Sequence, residues 1–220
     1  MAPSSFGQLI LGYQLIWNKS RQPAAMQLFM APVEGEPVDA PHFLRAMEQT
    51  WTGRSPILVL TPLDAELLAG LLESCKADGP WVSVQQDLLA APRMIDLLHQ
   101  AHQRGVQLLW RGAAGDRPDS AIAPCFARTI ISLTPGETLV GAHVALQHGR
   151  DNDAPAAASN PVLPGQIVEA VPSRLMADHC LDRSGAWGIA GWPTDDVLLS
   201  HRHQPIQPSH RAIVRLVRET

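Results

Sequence analysis

The chain has 220 residues, a formal charge of −4 and a hydrophobic content of 45%, enough for one sizeable domain with a substantial core. Its 17 lysines and arginines are scattered rather than clustered, which removes the electrostatic footprint of a nucleic-acid binder. No apolar run approaches the roughly 18 residues that span a membrane. The opening "MAPSSFGQLILGY" lacks the basic and apolar regions of a signal peptide. Cys75, Cys125 and Cys180 are widely spaced, which suits buried thiols in a reducing compartment better than a disulfide frame. The expectation is a cytoplasmic protein without a membrane segment.

In chain order, "QLILGYQLIW" (8–17) reads as extended, with Gly12 marking a bend, and "SPILVLTP" (55–62) as a strand buried on both faces. Leu67, Leu68, Leu71 and Leu72 then form one apolar stripe at helical spacing. A strand is predicted over 80–86, followed by a helix with Asp87 near its start and Gly105 as its stop. Strands follow at 106–112 and 128–136. "LVGAHVALQHG" reads equally as helix or strand, and "RDNDAPAAASNPVLPG" as a loop. The pattern resumes with a strand at 166–171, a helix capped by Ser173 and stopped by Gly185, a strand at 186–193, and a closing helix capped by Ser209. This alternation predicts an α/β fold with a mostly parallel sheet. About seven strands suit a reduced or incomplete TIM-like barrel, since such barrels typically need around 250 residues. The shortening is placed at 139–165, the barrel at 1–205 and a connector helix at 206–220.

Three segments carry a family resemblance. "GYQLIWN" (12–18) is similar to "GYELLFR", the opening of the EAL domains of cyclic di-GMP phosphodiesterases. "GQIVEAVPSRLMADHCLDRSGAWGIAGWP" (165–193) resembles that family's late block, and "QPIQPSHRAIVRLVRE" the connector preceding an HDOD domain. The resemblance implies an EAL-type barrel whose mouth, in active members, holds Mg²⁺ or Mn²⁺ through carboxylates. It also implies which positions have changed. Gln14 stands at the signature glutamate and Asn18 at a phosphate-binding arginine. Val59 replaces an asparagine, Ser83 and Gln86 two glutamates, Leu109 and Trp110 paired aspartates, Ser132 a lysine and Thr134 an aspartate. Glu169 keeps its acid, while Pro172 replaces the second one of that block.

Stripped of its anionic oxygens, such a mouth loses most of the Coulomb attraction for a metal pair. The resemblance therefore implies a non-catalytic regulatory module with no cofactor. It would act through a protein partner or an HDOD-type domain, with self-association left open. A receptor that binds cyclic di-GMP without cleaving it is the weaker alternative. The vestigial mouth is expected to comprise Gln14, Asn18, Trp110, Arg111 and Glu169. Trp110 reads as a stacking platform or, preferably, a plug, and Arg111 in "RGAAGDRP" as an anion contact. His201, His203 and His210 lie in a polar, proline-containing loop without acid or cysteine at ligand spacing. Cys180 reads as core, and the small residues between Trp187 and Trp192 as close packing or a partner patch.

Overall fold

The computed structural model describes residues 8–33, 38–51, 53, 55–133 and 162–191. Strand β1 (Leu9–Trp17) turns back through 18–22 into β2 (Pro23–Pro32), and the two pair antiparallel. In that turn the backbone of Asn18 bonds to Gln22 at 3.0 Å, and the Asn18 amide oxygen accepts from the Gln22 N–H at 3.1 Å. Parallel strands then follow: β3 (Ile57–Pro62), β4 (Trp81–Gln85), β5 (Leu108–Ala113), β6 (Phe126–Ser132), β7 (Ile167–Glu169) and β8 (Gly188–Ile189). Neighbours β2 to β8 are parallel throughout, and β8 closes onto β1 antiparallel at the pair Trp17 and Ile189. The result is a closed eight-stranded barrel. The ring has eight strands where the pattern of the sequence offered about seven, because 23–32 supplies one that the pattern did not reveal.

Capping chemistry starts the helices. Asp39 accepts from the His42 N–H ahead of α1 (Ala40–Thr50), and Asp64 from the Leu67 N–H ahead of α2 (Ala65–Ser74). The predicted leucine stripe, Leu67, Leu68, Leu71 and Leu72, is buried on the barrel wall. Helix α3 (Pro92–Gln103) begins later than expected. Residues Gln86–Leu89 form a separate 3₁₀ turn, and Pro92 opens the helix with the φ it fixes and no N–H to satisfy. Gly105 ends it at φ +85°, as anticipated. Ser173 caps α4 (Arg174–Asp178), which runs into a π-type turn over His179–Arg183. Arg21, in the β1–β2 turn, reaches Asp178 at 2.8 Å and Asp182 at 2.7 Å, tying the turn to that helix.

Two apolar layers follow from the two-residue strand period. Ile16, Ala25, Val59, Leu109, Ile130, Ile167 and Ala190 converge inside the barrel, with Trp81 and Trp187 against them. The alternate residues, among them Leu60, Val82, Leu108 and Trp110, face outward under α1, α2 and α3. The connector helix predicted for 206–220, residues 192–205 and most of the 139–165 segment lie outside the described residues. Among the described residues no helix is long and apolar enough to cross a membrane.

Candidate functional site at the barrel mouth

One layer above the interior apolar cluster, toward the ends of the parallel strands, the inward positions turn polar. Gln14 on β1 lies beside Gln27 on β2 in register. Thr61 on β3, Ser83 on β4, Arg111 on β5 and Glu169 at the end of β7 complete the layer. Gln27, Thr61, Ser83 and Glu169 are all buried. Buried polar groups need partners, and these find one another. The Gln14 amide N–H donates to the Gln27 carbonyl oxygen at 2.9 Å. The Gln27 amide nitrogen donates to Thr61 Oγ1 at 3.0 Å and to Glu169 Oε1 at 2.6 Å. Ser83 Oγ donates to Thr61 Oγ1 at 2.8 Å.

Glu169 is the hub. Its Oε2 accepts from Arg111 Nη2 at 2.8 Å and from Arg111 Nε at 3.0 Å. Its Oε1 accepts from Gln27, from Arg111 Nε at 3.2 Å, and from Gln14 at 3.3 Å. An ionised carboxylate only accepts, so the amides must turn nitrogen rather than oxygen toward it. The Arg111 guanidinium also lies over the Phe29 ring, 5.4 Å from its centroid. Directly after Glu169 the chain turns through Ala170 at φ +57°, a left-handed conformation unusual for a residue with a Cβ. Gly191 passes so close that a Cβ there would lie 2.6 Å from the Val171 nitrogen.

The structure brings together three of the five predicted mouth residues: Gln14, Arg111 and Glu169. Asn18 is not among them; it sits in the β1–β2 turn at the start of β2, the rim opposite the mouth. Trp110 is a second correction. It faces outward, fully packed beneath the helices, with its ring edge-on to Phe126 at 5.3 Å, so it neither plugs the mouth nor offers a stacking face. Arg111 engages an internal carboxylate instead of a free anion. The following turn satisfies itself, with the Asp116 carboxylate accepting from the Ala113 N–H at 2.8 Å. Val59, Ser83 and Leu109 do face inward, whereas Gln86 lies in an exposed 3₁₀ turn. Gln27 was missed by sequence reasoning. Its signal was a lone glutamine within the apolar run "AAMQLFMA".

Elsewhere, Cys180 is fully buried core, as expected. Burial pushes its thiol up from 9.0 to about 12, and that of Cys75 likewise. Trp187 packs against Trp81 at 5.6 Å and beneath Arg128 at 5.2 Å, the close-packing alternative. His201, His203, His210 and Trp192 lie outside the described residues. Among the described residues no three His, Cys, Asp or Glu side chains gather as a metal-holding group. A groove of about 700 Å³ opens between the ends of α1 and α2, beside Trp51, Ile57 and Trp81. It lies where the parallel strands begin, away from the polar cluster, and the functional site is placed at the cluster, where the buried polar side chains converge.

No family model and no curated protein matches the chain. Solved structures do match it. Klebsiella pneumoniae BlrP1, in a manganese and cyclic di-GMP complex, superposes with a TM-score of 0.52 at 11% identity, over 87% of this chain and 56% of that one. The Bacillus subtilis YkuI protein, with an EAL domain in complex with cyclic di-GMP and calcium, gives 0.50 at 12% identity, over 97% and 63%. The EAL domain of Mycobacterium smegmatis DcpA gives 0.50 at 14% identity, over 94% and 96%. The fold is an EAL-type barrel. This chain spans less than two thirds of the BlrP1 and YkuI chains.

In this EAL-type barrel the first two strands run in opposite directions. β1, which carries "GYQLIWN", runs from the mouth toward the opposite rim, while β2 runs toward the mouth beside β3. On β2 "MQLFM" presents Gln27 in the same apolar setting, buried and 2.6 Å from Glu169. Gln14 and Gln27 thus meet at Glu169 from strands of opposite direction.

Proposed function

We propose that the chain is a catalytically silent EAL-like module of cyclic di-GMP signalling that works through protein contacts, with an adjoining HDOD-type domain as the partner suggested by its C-terminal sequence. The observation that carries this reading is the Arg111–Glu169 pair: the carboxylate at the centre of the mouth is bound on both oxygens by the protein's own donors. A divalent metal pair needs several anionic or carbonyl oxygens aimed at one point. Here one carboxylate faces a guanidinium, two amides turn their nitrogens to it, and two hydroxyls bond to each other. The donor set does not fit the metals that the fold family uses. What the residues can do is hold six strands at fixed spacing around the mouth, which suits a rigid platform.

The test is hydrolysis of cyclic di-GMP by the purified chain with Mg²⁺ and with Mn²⁺. No turnover above the buffer rate is expected, and calorimetry with the dinucleotide should record no heat of binding. Turnover that Glu169→Gln abolishes would overturn the proposal. Micromolar binding without turnover would replace it with the receptor reading.

A further inference from the structure

We propose that Arg111 is the resident cation of the mouth: its guanidinium takes the place at Glu169 that a divalent ion would need, and removing it converts the cluster into a weak cation site. The inference deepens the proposed function at the same site. It rests on equilibrium binding, however, so it can fail independently of any result on turnover.

Three observations meet here. First, Arg111 approaches Glu169 through two nitrogens, Nε and Nη2, at 3.0 and 2.8 Å from one oxygen, with Nε also 3.2 Å from the other. A metal at ordinary oxygen-ligand distance, about 2.1–2.5 Å, would stand within contact of that group. Two cations so close repel strongly in a buried setting. Second, Arg111 is held from behind by the Phe29 ring, which attracts the cation through its face. The side chain is thus fixed toward Glu169 rather than free to swing into solvent. Third, the remaining members are oxygen-bearing groups whose dipoles are already set by this charge arrangement. Gln27 donates to Glu169 while its own oxygen is engaged by Gln14. Without the guanidinium, Glu169 becomes a buried anion with too few donors. The Gln14, Gln27, Thr61 and Ser83 oxygens then have reason to rotate toward an incoming ion. One carboxylate and four neutral oxygens make a weak site, with an expected Kd on the order of 1 mM.

The experiment measures Mn²⁺ binding by electron paramagnetic resonance, and thermal unfolding with and without Mn²⁺. The proteins compared are the wild-type chain, Glu169→Gln, Arg111→Met, the milder Arg111→Gln, Arg111→Lys and the double variant Arg111→Met with Glu169→Gln. The wild type should bind no Mn²⁺ and keep its Tm. Arg111→Met should lose roughly 5–15 °C, because one member of a buried pair is stranded. It should recover part of that loss in Mn²⁺ and bind the ion with a Kd on the order of 1 mM, at concentrations where the wild type binds none. Arg111→Gln can still donate to Glu169, so it keeps the assay open if the methionine variant does not fold, and it should also gain Mn²⁺. Arg111→Lys restores a cation and should not. The double variant should regain stability and lose the ion. Wild-type binding of Mn²⁺ that Glu169→Gln removes would overturn the assignment, and so would failure of both Arg111→Met and Arg111→Gln to gain Mn²⁺. Turnover of cyclic di-GMP by a wild type that takes up no Mn²⁺ would instead sink the proposed function and leave this assignment standing.

Discussion

Trp110 and Arg111 are consecutive on β5, and in a strand consecutive side chains point to opposite faces. Only one of them can enter the barrel, and the structure chooses Arg111. Sequence neighbourhood alone does not show facing, which is why the resemblance implies both at the mouth. Glu169 was legible for a simpler reason: it is the acid retained in a strand where the others are lost. Gln27 was not, since a single amide between apolar residues carries no charge pattern, and its role appears only when 142 residues of separation are closed by folding. Backbone geometry adds a further point at this scale. Ala170 is exposed and held at φ +57°, which costs an alanine about 1–2 kcal/mol. Glycine relieves that strain but gives back about 0.5–1 kcal/mol in flexibility. Ala170→Gly should therefore stabilise the chain by about 0.5–1 kcal/mol in urea unfolding; a loss would show that the turn is not strained.

Among the elements, those recovered from the sequence are the ones whose local signals agree with their tertiary setting. The α2 stripe, the β3 apolar run and the Ser173 cap each combine pattern and punctuation. β2 failed this standard. Proline stands at both of its ends, and its two faces are both buried, so neither alternation nor a glycine turn announces it. α1 was passed over as well, although Asp39 followed by Pro41 is a recognisable start. The shortest strand, β8, depends on a different feature. A Cβ on Gly188 would lie 2.5 Å from Ile16 Cγ2, and Ile16 is fully buried. Close approach of β8 to β1 at the seam thus requires glycine. Gly188→Ala should destabilise the chain by about 1–3 kcal/mol. Gly53→Ala, where no atom lies within 4 Å of the added carbon, should leave the unfolding midpoint unchanged. Equal midpoints for both would contradict a tight seam.

At the scale of the molecule, alternation of strands and helices was enough to reach an α/β barrel, and closure was not, because closure depends on the strand that the pattern hid. Global stability carries a signature of its buried thiols. Cys75 and Cys180 sit in separate clusters, each pushed from 9.0 to about 12 by loss of water. An unfolded chain releases these protons above about pH 9, while the folded chain holds them. Their contribution is therefore complete below pH 9 and lost as pH rises toward 12. Urea midpoints should fall across that window, and the fall should be shallower in a Cys75→Ala, Cys180→Ala variant; an identical slope would rule the thiols out.

The reversed direction of β1 has a practical outcome. Gln8 leads into the strand level with the far end of β2, where its carbonyl accepts from the Val33 N–H at 2.8 Å, and Gly191 leaves just past the end of β8. Both flanks of the described barrel are consequently rooted on the Glu169 side. A fluorophore attached at Gln8 and one at the exposed Lys19 would therefore stand over opposite rims.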